Sequence, residues 1–382
     1  MREGWKEVEL EELGTIGRGK SRHRPRNADF LYGNEYPFVQ TADVKAAEYK
    51  ITSYSQMYSE AGLTQSKLWP INTLCITIAA NIADSSILGI EACFPDSVLG
   101  FISDPLKSDV KFVKYLFDML QIRIKQISQG AAQDNLSLEK IRTLRFTVPN
   151  VETQRKIATI LSGYDDLIEN NLKRIKILEE MAQQTYEEWF VRMRFPGYET
   201  AVMNEETGLP EGWEKVKLGE IYDLKYGKNL AQTDILKEGT FSVYGASGKM
   251  GYFTKSNISS KKVLVTSRGN GSGVVHRTFE DESFVTNNSF VVNTELGLGY
   301  TFYNLKKFDL SRFNSGSAQP QLTNSALLNV EIIRPNSQLI NDFNLIVNNQ
   351  IQFIDNLLNQ NQRLREARDL LLPRLMMGIV EV

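Results

Sequence analysis

Residues 14–21, GTIGRGKS, have the spacing of a phosphate-binding loop: a glycine, four residues, then Gly19-Lys20-Ser21. Such a loop works because a buried strand feeds a glycine turn whose N–H groups cradle phosphate at the start of a helix. The residues before it, Lys6 to Leu13, alternate charged and apolar side chains, as a half-exposed strand does. Pro25, just after it, stops any helix within a turn. Both halves of the context are missing, so no nucleotide site is assigned. A second pattern, Pro95-Asp96 with Asp109-Val-Lys111, has the form of a Mg²⁺ nuclease motif. Asp109 and Lys111 fall in the first turn of a helix expected over 109–128 with Ser108 as its cap, where an acid is favoured anyway. The only histidines are His23 and His276, and Cys75 and Cys93 lack metal-ligand spacing. No catalytic residue, metal or cofactor is assigned.

What remains is basic. Arg18, Lys20, Arg22, Arg24 and Arg26 stand within nine residues. Lys225, Lys228, Lys249, Arg268 and Arg277 mark the second half, with Ser267, Asn270 and Ser272 in the glycine-rich loop SRGNGSG. These are the side chains that reach phosphates and base edges, which makes them the candidate DNA contacts. The formal net charge is −2, so any nucleic-acid binding must come from local patches.

The elements that hold these loops are duplicated. EGWKEVELEELG (3–14) recurs as EGWEKVKLGEI (211–221), and SQGAAQDNLS (128–137) answers NSGSAQPQLT (314–323). Both halves then reach Pro-Asn, at Pro149-Asn150 and Pro335-Asn336, and IENNL (168–172) matches IDNLL (354–358). A repeat at this scale means two units of one fold. The counterpart of the opening loop is LGEIYDLKYGK (218–228), which has no phosphate-loop spacing.

Each half pairs a mixed region with a helical one. Short β-rich runs (74–78, 263–266, 289–293) and the helix at 109–128, answered by 298–314, give an α+β globule. From Asn150 to Arg194, apolar residues recur every three or four positions, with Ser162-Gly163 expected to break the helix and Phe195-Pro196-Gly197 to stop it. The helix over 165–194 would be about 45 Å long. The same period returns from Asn336 to Val382. The expected architecture is α+β: two pseudo-repeated recognition domains, mixed α/β globules at 1–149 and 204–334, separated by two long antiparallel helices at 150–203 and 335–382.

At 382 residues the chain holds two or three domains, and 42% apolar with 24% charged residues is ordinary for a globular protein. No run of apolar residues is long enough to span a bilayer and MREGWKEVELEE lacks the apolar core of a signal peptide, so neither is expected, and two cysteines suit a reducing cytoplasm.

The whole chain resembles the specificity subunits of type I restriction-modification systems. The residues that carry the resemblance are the two Gly-Trp segments, QGAAQDNLS with SGSAQPQLT, and PNVETQRKIATILSGYDDLIENNLKRIKILEEM (149–181). ITIAANIADSSILGIEACFPDSVLGF (76–101) is similar to a target-recognition segment of that family, as are VYGASGKMGYF and VLVTSRGNGSGVV. The resemblance implies that each recognition domain reads half of a split double-stranded DNA target. It implies that the helices form a spacer and dock two methyltransferase subunits, with Ile168, Leu172, Ile175, Leu178, Ile354 and Leu358 as the candidate face. Motor–nuclease subunits would complete the assembly, and cleavage, ATP hydrolysis and methyl transfer would belong to the partners. The second helical copy departs from the first, with Ser337 to Ile340 where the first has Glu152 to Arg155. A different class stays open: a non-catalytic coiled-coil scaffold presenting two protein- or glycan-binding modules.

Overall fold

The computed structural model describes residues 4–78, 84–127, 138–269, 271–315 and 320–382. It falls into two compact units, residues 1–170 with 360–382, and residues 171–359. The unit boundaries cut both long helices in mid-course, so each unit holds one mixed module and a segment of each helix.

In the first unit the strands are β1 (Lys6–Glu9), β2 (Gly14–Arg18), β3 (Tyr32–Phe38), β4 (Lys50–Ile51), β5 (Gln56–Tyr58), β6 (Leu74–Thr77), β7 (Ser85–Leu88), β8 (Val98–Ser103) and β9 (Arg145–Val148). The main sheet has the order β2-β8-β6-β7-β4. The second unit has β10 (Glu214–Lys217), β11 (Asp223–Tyr226), β12 (Phe241–Gly245), β13 (Gly248–Phe253), β14 (Ile258–Ser259), β15 (Val263–Thr266), β16 (Val275–Arg277), β17 (Glu282–Val285), β18 (Ser289–Asn293), β19 (Asn314–Ser315), β20 (Gln321–Leu322) and β21 (Glu331–Arg334). Its main sheet runs β11-β18-β15-β16, which repeats the order β2-β8-β6-β7 without a counterpart of β4. The central strands β6 and β15 are buried along their whole length, which is why they read as continuous apolar runs.

The Gly-Trp segments fold alike. Gly4 and Gly212 both have φ of 79°, a left-handed turn that glycine adopts without cost. The strand that follows pairs antiparallel with the strand before Pro-Asn: Val8 sits opposite Phe146, and Val216 opposite Ile332. Flanking charges pair across the same ladders, Glu9 with Arg145 at 2.8 Å and Glu214 with Arg334 at 3.3 Å. The SQGAAQDNLS segment and residues 316–319 of its partner lie outside the described residues.

The helix expected over 109–128 is observed at Val110–Ile127 and buries Phe112, Val113 and Phe117 in the first core. Its cap is Asp109, not Ser108: the Asp109 carboxylate accepts the N–H groups of Lys111 (2.9 Å) and Phe112 (3.2 Å). The Ser108 hydroxyl instead donates to the Leu13 carbonyl at 2.6 Å. The counterpart is shorter, Leu298–Lys306 followed by a 3₁₀ turn at Leu310–Phe313.

The first long helix runs unbroken through Ser162-Gly163, from Val151 to Tyr186, with a π-helical turn at Glu187–Val191. A glycine inside a helix costs about 1 kcal/mol. Burial of Leu161 and the bonds of Asp165 to Arg368 and Tyr115 on the adjoining turn offset it. The helix is 36 residues, about 54 Å. The second, Ser337–Met376, is 40 residues, about 60 Å. The first exceeds the length expected from the sequence, and the second ends at Met376, short of the Val382 to which its period runs. In the first unit Ile157, Ala158 and Leu161 pack with Leu372, Leu375 and Met376; in the second, Ala182, Tyr186 and Phe190 pack with Phe343 and Val347. Within the second unit Ile175 packs with Ile354 and Leu357, while the later residues Ala182 to Phe190 pack with the earlier Phe343 and Val347, so the helices are antiparallel.

Candidate nucleic-acid interface

Where β2 ends, the Gly19 N–H donates to the Val98 carbonyl (2.9 Å) and the Lys20 N–H to the Phe94 carbonyl (3.0 Å). Where β11 ends, Gly227 donates to Ser289 (3.0 Å) and Lys228 to Val285 (2.9 Å). The two dipeptides occupy one position of the repeated frame. A Cβ at Gly19 would lie 2.3 Å from the Pro95 carbonyl oxygen, and one at Gly227 would lie 2.3 Å from that of Thr286. Backbone passes too close there for any side chain.

Two further connections meet the same strand end. The turn Phe94–Val98 is closed by a bond from Val98 N–H to Pro95, and Val285–Ser289 by one from Ser289 N–H to Thr286. The segment after β6 reaches over through Ile78 N–H to the Ser97 carbonyl, and the segment after β15 through Ser267 N–H to that of Asn288. Each module therefore brings three connections to one end of its sheet.

Exposed cations stand on these connections. Lys20 and Arg22 in the first module, and Lys228 and Arg268 in the second, are exposed and have no ion-pair partner among the described residues. Arg18, Arg24 and Arg26 gather around Asp96 on the 94–98 turn. Lys225 is exposed and pairs with Asp223 at 2.9 Å. Lys249 lies 3.3 Å from Glu280 and over the Tyr252 ring at 4.5 Å. Burial works to raise the Glu280 pKa, but hydrogen bonds from Tyr244 and Ser242 and the charge of Lys249 outweigh it and hold that carboxyl below its usual range.

The opening loop is thus not a phosphate cradle. Gly14 to Arg18 form a strand in register with β8, the next two N–H groups are already bonded, and no helix follows. Nor is there a nuclease centre at Pro95-Asp96 and Asp109: one carboxylate binds arginine and the other caps a helix.

Several sequence-derived contacts need correction. Arg277 is 8% exposed and its guanidinium binds Asp355 of the second long helix at 2.6 Å, so it does not reach a ligand. Lys261 completes that cluster at 2.9 Å from Asp355. Ser267 and Ser272 are buried, and the Ser272 hydroxyl bonds Asn314 at 2.7 Å. Asn270 lies outside the described residues. On the helices, Ile168, Ile175 and Ile354 are buried in the protein's own core, and Leu178 and Leu358 pack beside Ile175 and Ile354, partly buried. Leu172 alone of that set is exposed. The sequence reading weighed Asp96 only as a nuclease-type acid and missed Asp355 and Lys261, because an isolated acid or lysine carries no local signal of its partner.

Two copies of one frame, each with a cationic strand end, define a duplicated binding protein. The chain matches the family described as the type I restriction modification DNA specificity domain over residues 2–180 and again over 210–362. It belongs to that family and carries two copies of its domain, which favours this reading over a protein- or glycan-binding scaffold. A similar relative is the type I restriction enzyme MjaIX specificity subunit of Methanocaldococcus jannaschii, 25% identical over 407 residues that cover 99% of this chain and 94% of that one. The type I restriction enzyme HindI specificity subunit of Haemophilus influenzae is 23% identical, covering 66% and 72%. Among solved structures, the S subunit of a type I restriction-modification system from M. genitalium superposes with a TM-score of 0.63 at 20% identity, covering 97% of this chain and 96% of that one. That likeness supports the fold. Among the described residues no helix is long and apolar enough to cross a membrane.

Proposed function

We propose that each module reads one half of a split double-stranded DNA target with its cationic strand end, as part of a cytoplasmic type I restriction-modification complex. The observation that carries this is the repeated strand end, where Gly19-Lys20 and Gly227-Lys228 take the same hydrogen bonds and present cations free of described ion pairs. Phosphate contacts from lysine and arginine position such a protein, and base contacts from the same loops specify the sequence. Lys20, Arg22, Lys228 and Arg268 are the contacts we retain, with Arg24 and Arg26 beside them.

The long helices set the distance between half-sites, and methyltransferase subunits dock on them. The buried isoleucines are not that face. The exposed apolar residues are better placed: Ile160 and Leu167 in the first unit, Ile177 and Met181 in the second, each at least 40% exposed. Two methyltransferase subunits and motor–nuclease subunits would supply methyl transfer, ATP hydrolysis and cleavage, and this chain would act without a catalytic residue or cofactor of its own.

The test is a module exchange. Residues 211–334 are replaced by the equivalent segment of another specificity subunit, and methylated sites are mapped in cells that also make the methyltransferase. One half of the target should change while the other half and the spacer persist. A simultaneous change of both halves, or methylation without sequence preference, would refute independent reading.

A further inference from the structure

Residues 18–26 hold five cations, and the turn beside them holds one carboxylate, Asp96. Arg26 Nη2 donates to both Asp96 oxygens, at 2.7 and 2.9 Å. Arg24 Nη2 lies 4.0 Å from Asp96 Oδ2, and its Nη1 donates to the carbonyls of Ser21 (2.6 Å) and His23 (2.7 Å). Arg18 Nε donates to the Asp96 main-chain oxygen at 2.6 Å. Three guanidinium groups share one turn residue.

This cluster is not a stabilising core. The side chains of Arg24 and Arg26 are 56% and 50% exposed, and Asp96 is 34% exposed. Ion pairs so wet contribute little to folding. What they do is order long side chains that would otherwise lose rotamer freedom on binding. Asp96 takes only Nη2 of Arg26, so the Nε and Nη1 donors have no partner among the described residues. A guanidinium held at Nη2 keeps its Nε and Nη1 donors open for single hydrogen bonds to base-edge acceptors.

The second module supplies an internal control. Its matching turn places Asn287 where the first has Asp96, one residue after the Thr286 that matches Pro95. No carboxylate stands there. After Lys228 the chain reads Asn-Leu-Ala-Gln, with no arginines. The acid and the arginine cluster occur together in one module and are absent together from the other.

We propose that Asp96 is a positioning residue for the first half-site, orienting Arg26 toward base edges. The proposal rests on the reading that this strand end faces DNA. It makes a prediction of opposite sign to simple electrostatics. Removing an acid beside a phosphate backbone should tighten binding to every duplex. Loss of orientation should weaken binding only where Arg26 reads its base.

The measurement is the affinity of the full-length chain for duplexes that differ only in the first half-site, once methylation mapping has given the target. Asp96→Asn should bind the mapped target about tenfold more weakly and a scrambled first half-site about twofold more tightly at low salt. In an Arg26→Ala background, Asp96→Asn should cost no further target affinity, which separates positioning from a folding defect. Tighter binding of both duplexes by Asp96→Asn, or a loss that persists without Arg26, overturns the proposal while leaving the interface intact. Unchanged affinity and salt dependence for Arg22→Ala and Arg26→Ala would show that this strand end does not face DNA, and would remove the interface and the proposal together.

Discussion

At one turn of the repeated frame the first module has Asp96 bound to arginines, and the second has Asn287, whose N–H closes onto the Lys228 carbonyl at 3.0 Å. Against the same turn, Gly19 and Gly227 make the same bonds and meet the same close backbone approach. The framework residues have stayed alike while the tips have diverged. The attachments to the helices also differ. In the second unit, the sheet supplies Arg277 and the second long helix supplies Asp355, with Lys261 alongside. In the first, Asp165 of the first long helix is bound by Arg368 of the second and by Tyr115, and Arg368 also pairs with Asp369 at 2.9 Å. The comparison teaches that a duplicated fold can keep its strand register yet anchor each copy with different charges.

The largest effect should come from breaking those anchors. Asp355→Ala leaves the buried Arg277 without its carboxylate, which should cost about 3–5 kcal/mol. In urea the transition of the second unit should move to lower denaturant while that of the first holds its midpoint. Asp165→Ala should cost the first unit less, since Arg368 retains Asp369. Equal losses would mean that the anchors are interchangeable in energy despite their different partners.

A smaller and symmetrical effect is expected at the shared glycines. Gly19→Ala and Gly227→Ala each drive a Cβ against carbonyl oxygen, an overpacking cost of about 1–3 kcal/mol. Each should destabilise its own unit by a similar amount in the same denaturation experiment. A neutral result in one module alone would show that the frame is less closely repeated than its hydrogen bonds indicate.

The smallest effect is in binding. Lys20→Ala and Lys228→Ala should each reduce the slope of log affinity against log salt by about one unit, across all sequences. Gel-shift titrations at several salt concentrations read this directly. A flattened slope for one lysine and not the other would mean that the two strand ends approach DNA differently.

Much of this was legible in the chain. The repeated Gly-Trp segments, the matched Pro-Asn boundaries and the helical period gave the two-module α+β plan, because hydrophobic periodicity and turn residues are local properties. The basic cluster at 18–26 was visible as composition. The inward face of the helices was only half visible. The apolar stripe included Ile160, Leu167 and Leu172, which are exposed, beside Leu161, Ile168 and Ile175, which are buried. An amphipathic pattern defines a broad apolar side, and only the packed partner decides which rows it covers.

The tertiary structure alone decided which charges are spent inside. Arg277 and Arg268 look equally available in sequence, yet one is buried against Asp355, 78 residues away, and the other is exposed beside Gln321. Arg26 meets Asp96 across 70 residues. Ser162-Gly163 reads as a break and is continuous helix, because neighbouring burial outweighs a weak local preference. The sequence by itself determined the repeat and the element types, since these depend on residue type and short spacing. The meeting of three distant connections at each strand end depends on strand pairing across the whole module, and no local pattern encodes it.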